Sequence, residues 1–283
     1  MAASTRSDRP LLVDLGPLAQ LRAGQLGRRL PQLLVGLWLY GFAMALFIRS
    51  GLGLDPWDVF HAGLQQLLGW SFGTVVIAVG FAVLLLWIPL RQWPGLGTIA
   101  NAVVIGVATD VTLAMVPPAD GWPAAWGLLV VGLVVNGLAG GLYIGSQLGP
   151  GPRDGLMTGL ARRTGRSLRL VRTGLELTVL GVGWAMGGTV GIGTVVYAVA
   201  IGPLVQFFLP LVTVRLRPLP GLWTLVALLA LAVGATYATH RTILGRDAGV
   251  TLIVVLLALK TLELRARRDA FVVFFLSFFT LLT

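Results

Sequence analysis

Residues 35–106 of this chain align with residues 131–202 at a constant offset of 96, without a single insertion. Ile48-Arg49-Ser50-Gly51-Leu52-Gly53-Leu54-Asp55-Pro56-Trp57-Asp58 falls on Ile144-Gly145-Ser146-Gln147-Leu148-Gly149-Pro150-Gly151-Pro152-Arg153-Asp154, and Gly95-Leu96-Gly97-Thr98 falls on Gly191-Ile192-Gly193-Thr194. Matches of Leu on Val in apolar stretches would mean little. The shared residues here are Gly, Pro, Asp, Ser and Thr, which fix backbone shape and polar chemistry. A duplicated membrane unit is a recurring architecture of secondary transporters, so the repeat predicts one helical unit used twice.

The chain is 56% hydrophobic and only 11% charged. A soluble domain carries about a quarter charged residues, so most of this surface is expected to face lipid. Apolar runs between the charges reach the length of about 20 residues that a spanning helix needs. There is no cysteine, which excludes disulfides and thiolate chemistry, and two histidines make a histidine metal cluster improbable. The net charge of +10 sits as arginines in short loops, the distribution of the positive-inside rule, and calls for no nucleic-acid partner. Residues 1–30 lack a short apolar core with a cleavage site, so no signal peptide is expected.

Spans are predicted at about 32–51, 72–92, 98–116, 124–146, 168–188, 194–212, 220–238, 248–263 and 269–283. Asp55–Gly69 and Gly151–Gly165 are too short to span. Pro56 and Pro152 suit the first position of a helix, and Asp58 and Asp154 follow two residues later. Arg22, Arg28 and Arg29 place the N-terminal tail in the cytoplasm; segment 52–71, without Lys or Arg, is expected outside. Segment 151–172, with Arg153, Arg162, Arg163, Arg166, Arg169 and Arg172, is expected inside. Three spans per repeat is odd, so the second copy enters from the opposite face. The two short helices either dip into the membrane as re-entrant segments with their N-termini at a substrate site or lie flat in the interface.

Several strings resemble the YczE-like integral membrane proteins, related to the broader YitT group of bacteria: Gly53-Leu54-Asp55-Pro56-Trp57-Asp58-Val59, Gly140-Gly141-Leu142-Tyr143-Ile144-Gly145, Leu148-Gly149-Pro150-Gly151-Pro152-Arg153-Asp154-Gly155-Leu156-Met157, Val171-Arg172-Thr173 and Ile201-Gly202-Pro203-Leu204-Val205. The resemblance covers about 28–215 and implies a bacterial plasma-membrane protein, in a family without an established activity. The tail differs. Thr242–Val250 and Leu259–Asp269 resemble the N-terminal membrane region of bacterial transglutaminase-like membrane proteins. The Cys-His-Asp triad of that family's downstream domain has no counterpart here, so its catalysis is not carried over. A fusion, truncation or chimeric gene model joined near residues 213–220 is the expectation.

Asp58 and Asp154 occupy equivalent repeat positions and read either as substrate or proton ligands or as first-turn acids that cap their helices. Asp110 lies inside the third predicted span, where an ionisable group is expensive and a functional candidate by default, unless the span ends earlier. Glu176 follows Arg172 by one turn, so self-neutralisation on one face competes with a role in cation binding. Asn136 and Asn101 are polar groups within spans that suit interhelical hydrogen bonds. His61 is expected on the polar side of its helix.

The fold expected is all-α: a polytopic transmembrane helical bundle with an inverted-topology tandem repeat and two short re-entrant or interfacial helices. Residues 1–30 form a cytoplasmic basic tail, 31–117 and 124–215 the repeats, and 218–283 an appended membrane segment. The function expected is a secondary transporter for a small solute or ion, with Asp58, Asp154, Asp110, Asn136 and Glu176 as candidate substrate-binding residues. The alternative is a non-transporting membrane protein that supports a neighbouring complex. Neither a catalytic residue nor a cofactor nor a metal is expected, and the expected partners are the lipid bilayer and a small-molecule or ion substrate.

Overall fold

The computed structural model describes Leu12 and residues 16–214. Residues 16–22 and 26–214 belong to one compact unit, and residues 23–25 to a second whose remainder lies outside the described residues. The spans expected at 220–238, 248–263 and 269–283 also lie outside them, as does most of the basic tail.

All regular structure among the described residues is helical: α1 (Pro17–Arg22), α2 (Leu26–Ser50), α3 (Pro56–Leu68), α4 (Phe72–Trp87), α5 (Leu96–Met115), α6 (Gly121–Gly145), α7 (Pro152–Thr164), α8 (Leu168–Ala185) and α9 (Ile192–Val212). Four of these, α2, α5, α6 and α9, are long and apolar enough to cross a membrane. A fifth candidate is the pair α3 and α4, which meet at 111° across a short break. That is fewer than the six spans expected. Helix α4 stops at Trp87 instead of running to about 92, because Pro89 cannot extend it and Arg91 adopts a left-handed φ of 53°. Helix α8 places Arg169, Arg172 and Glu176 within 18 residues, which lowers its hydropathy below that of a span.

Helix ends follow local chemistry. In α3 the Asp55 carboxylate caps the Asp58 N–H at 2.7 Å, Pro56 takes the first position, and Gly69 closes the helix at a left-handed φ of 69°. Helix α7 opens on Pro152 and closes on Gly165 with a φ of 68°. Ser71 and Ser167 cap α4 and α8 through their hydroxyls. Thr98 and Thr194 accept from the Gly95 and Gly191 N–H groups at the starts of α5 and α9.

The long helices pack as α2 on α5 and α6, and α6 on α9. The short helices cross over: α3 packs on α8, and α7 on α4. Two hydrogen bonds fix that exchange. Gly193 N–H donates to Leu52 O at 2.7 Å, and Gly97 N–H donates to Leu148 O, also at 2.7 Å. Gly53 and Gly149, next to those acceptors, share a φ of 121° that a Cβ would disfavour. The outward face of α9 is apolar, as a lipid solvent requires; Val195, Val199, Phe207 and Leu211 are all exposed.

Arg29, counted as a charge of the tail, is instead fully buried inside α2. Its guanidinium donates to Ser146 O, Gln147 O and Gln20 O at 2.6–2.7 Å, so it closes the carbonyl end of α6.

Candidate functional site

The start of α3 carries three polar groups in a row of i, i+3 spacing. Asp55 caps the helix, Asp58 is buried, and His61 Nδ1 lies 3.1 Å from Asp58 Oδ1. From α7, Arg153 reaches across to the same carboxylates: one terminal nitrogen is 3.8 Å from Asp55 Oδ2 and the other 3.5 Å from Asp58 Oδ1. Its guanidinium also lies 5.2 Å from the centre of the Trp57 ring. A planar, weakly hydrated cation suits both contacts, and the buried carboxylates need it to offset their lost hydration.

Asp154 is the next residue of α7 but makes a different contact. Its Oδ2 accepts a hydrogen bond from the Tyr143 hydroxyl of α6, and the same hydroxyl accepts the Gly151 N–H at 3.3 Å. Trp87 Nε1 donates to Pro152 O at 3.0 Å and ties the end of α4 to the start of α7. Between these groups lies a cavity of about 80 Å³. Its polar lining is Tyr40, His61, Asn101, Tyr143, Arg153 and Asp154; Val76, Val79, Val83 and Ile105 line the rest. A second cavity near Phe47, Gln65, Phe72 and Thr189 has no charged residue in its wall.

Of the residues singled out from sequence, Asp58 pairs with Arg153, and Asp154 lines the cavity through its separate contact with Tyr143. Asn136 is buried in α6, where its Oδ1 accepts from Tyr197 at 3.3 Å, and it does not line the cavity. Asp110 is elsewhere: it accepts the Gly73 N–H at 2.7 Å and the Ser71 hydroxyl at 2.5 Å, and so caps α4 from α5. Glu176 accepts from Arg172 Nε at 2.8 Å on α8, also outside the cavity wall. The cap of α3 comes from Asp55, which leaves the Asp58 side chain for Arg153 and His61. His61 is 1% exposed and shares its helix face with Asp58.

Sequence reasoning missed Arg153, His61, Asp55, Tyr40 and Tyr143 as site residues, and passed over Asn101. The spacing Asp55-x-x-Asp58-x-x-His61 was a usable signal, since such residues share one helix face. Arg153 had been read as a topological charge. Its mismatch with Trp57, inside an otherwise similar block, was the other clue.

Comparison with known proteins agrees with this membrane architecture. The chain is 37% identical over 188 residues to an uncharacterized protein of Haemophilus influenzae, covering 66% of this chain and 86% of that one. It is 36% identical over 181 residues to the uncharacterized membrane protein YczE of Bacillus subtilis, covering 62% and 82%. Residues 177–283 match the TgpA N-terminal domain. A stretch of 60 residues is 38% identical to a protein-glutamine gamma-glutamyltransferase of Pseudomonas aeruginosa, but covers only 9% of that protein. No solved structure matches. With its apolar helices and these relatives, the chain is a multi-pass membrane protein. Over residues 27–210 it matches the model of a family of unknown function, DUF6198, and it belongs to that family.

Proposed function

We propose that this protein is a secondary transporter for a small solute, which binds in the cavity between α3 and α7 and reaches it alternately from the two sides of a bacterial plasma membrane. The observation that carries this reading is the cavity itself. Two short helices, each too short to span, bring side chains from opposite parts of the chain to one cavity: His61 from α3, and Arg153 and Asp154 from α7. In transporters built from inverted repeats, substrate sites lie at the repeat interface beside such broken helices.

Support for a duplication comes from local geometry at the 96-residue offset. Helices α3 and α7 both have 13 residues, and both open on proline and close on a left-handed glycine. The Gly193–Leu52 and Gly97–Leu148 bonds exchange places under the same offset, as a pseudo-two-fold axis requires. Arginine-rich segment 151–172 against arginine-free segment 52–71 supports inversion, with the N-terminus cytoplasmic.

The cysteine-free chain permits a direct test. Trp70 and Arg166 are exposed, equivalent loop positions. Trp70→Cys is expected to react with an impermeant maleimide on intact cells, and Arg166→Cys only after permeabilisation. Labelling from one common side rules out the inverted repeat. Val79→Cys, in the cavity wall, is expected to react in both right-side-out and inside-out vesicles; reactivity from one face alone overturns alternating access.

A second reading rests on the match of residues 177–283 to the TgpA N-terminal domain. Under it the protein is a non-transporting membrane partner of a neighbouring complex. It predicts that deleting the tail abolishes function while Val79→Cys stays one-sided.

A further inference from the structure

We propose that the cavity takes a small organic cation rich in N–H donors, of the ammonium or guanidinium type. The inference names the solute class for the site proposed above and rests on that reading of the site, though not on transport itself.

Charge is the first argument. The charged residues of the cavity wall are Asp154 and Arg153, and Asp55 and Asp58, outside the wall, already pair with Arg153. Arg153 is engaged by Asp55, Asp58 and the Trp57 ring. Asp154 makes no ion pair among the described residues, and its one side-chain hydrogen bond comes from the neutral Tyr143 hydroxyl. An acid that lines a cavity without a cation in contact with it favours a cation from outside.

Hydrogen-bond polarity is the second. His61 is 1% exposed, and its Nδ1 faces an acceptor, Asp58 Oδ1, so the proton sits on that nitrogen. Nε2 is then a lone-pair acceptor. The residue lines the cavity, and its one hydrogen bond among the described residues is the one at Nδ1. The Asn101 amide lines the same wall and is likewise unpartnered there. The free groups of the cavity therefore include a carboxylate and an imidazole nitrogen, each of which needs a donor, and an amide that can both donate and accept.

Helix N-termini alone would favour an anion. Here they are already answered: α3 by Asp55 and Asp58, and α7 by the Tyr143 hydroxyl and by Asp154 in its first turn. An anion would meet the Asp154 carboxylate in the cavity wall. The cavity of about 80 Å³ compares with the roughly 10–15 Å³ that a single water requires. A solute of a few non-hydrogen atoms fits.

Guanidinium, urea and nitrate are planar and close in size but differ in charge, so they separate the possibilities. The full-length protein in lipid nanodiscs is expected to bind radiolabelled guanidinium saturably. Urea is expected to compete at least about tenfold more weakly, and nitrate not at all. Asp154→Asn is expected to weaken guanidinium binding by about tenfold or more, while Glu176→Gln, outside the cavity, leaves it unchanged. Because Asp154→Asn also disturbs the Tyr143 contact, Asn101→Leu gives a second variant that fills the wall without changing charge; it too should weaken binding by about tenfold or more. No saturable guanidinium binding, or nitrate binding as tight, overturns the cation assignment. Uptake into proteoliposomes is measured separately. Guanidinium binding without uptake keeps the assignment and removes the transport reading. Nitrate uptake without guanidinium binding removes the assignment and leaves transport standing.

Discussion

Gly106→Ala is expected to destabilise the protein by about 3 kcal/mol, and Gly106→Val to leave little folded protein in the membrane. A Cβ at Gly106 would stand 2.5 Å from the Gly73 carbonyl oxygen, and one at Gly73 would stand 2.1 Å from the Gly106 carbonyl oxygen. Helices α4 and α5 therefore meet backbone to backbone at this pair. No rotamer change relieves such a contact; one helix has to move. One turn along α5, Asp110 holds the Gly73 N–H at 2.7 Å, so moving α4 also pulls its first turn off that cap. Overpacking of a filled site costs about 1–3 kcal/mol, and loss of a cap about 1 kcal/mol more. Gly202 provides a matched control. It lies 96 residues further on, within α9, and a Cβ there meets nothing within 4 Å. Gly202→Ala is expected to be neutral or to stabilise by up to about 1 kcal/mol through helix propensity. Thermal unfolding in mild detergent and membrane abundance measure both variants. If the two alanine variants behave alike, the close approach of α4 and α5 is wrong.

How much of this was legible depends on whether the information was local. The short helices were legible, because Pro56 and Pro152 mark a first position and Gly69 and Gly165 a last one by backbone chemistry alone. So were the starts of α5 and α9 to within two residues, where Thr98 and Thr194 close the first turn. The exchange of short helices was not, since α3 on α8 and α7 on α4 are tertiary pairings that no local pattern encodes. The site inherits that division. Asp58 and Asp154 stood out through their equivalent positions, yet their partners did not. Arg153 sits among arginines whose presence topology already explained, and Tyr143 reads as one more span residue until Asp154 is placed beside it. Asp110 shows the reverse. Its depth in a predicted span suggested function, but α4 begins next to it and uses it as a cap.

Arg153→Gln is expected to destabilise the protein by about 3–5 kcal/mol, because it leaves buried charge without a counter-ion. Asp55 is 5% exposed and Asp58 1%. Without the guanidinium, Asp55 retains the Asp58 N–H and the helix dipole, whereas Asp58 retains only the His61 imidazole. Asp58→Asn alone should cost less, since Arg153 still has Asp55 at 3.8 Å and the Trp57 face. The double variant Asp58→Asn with Arg153→Gln should therefore be more stable than Arg153→Gln by itself, with a coupling energy on the order of 2 kcal/mol. Arg153→Lys is expected to fall between wild type and Arg153→Gln. A point-charge ammonium can pair with one carboxylate, but it does not bridge two and stack on indole at once. Denaturation of the purified protein gives all four corners of this cycle. Additive single effects would separate Arg153 from Asp58. Coupling, with Lys only partly effective, would mean that one planar cation holds α3 and α7 together.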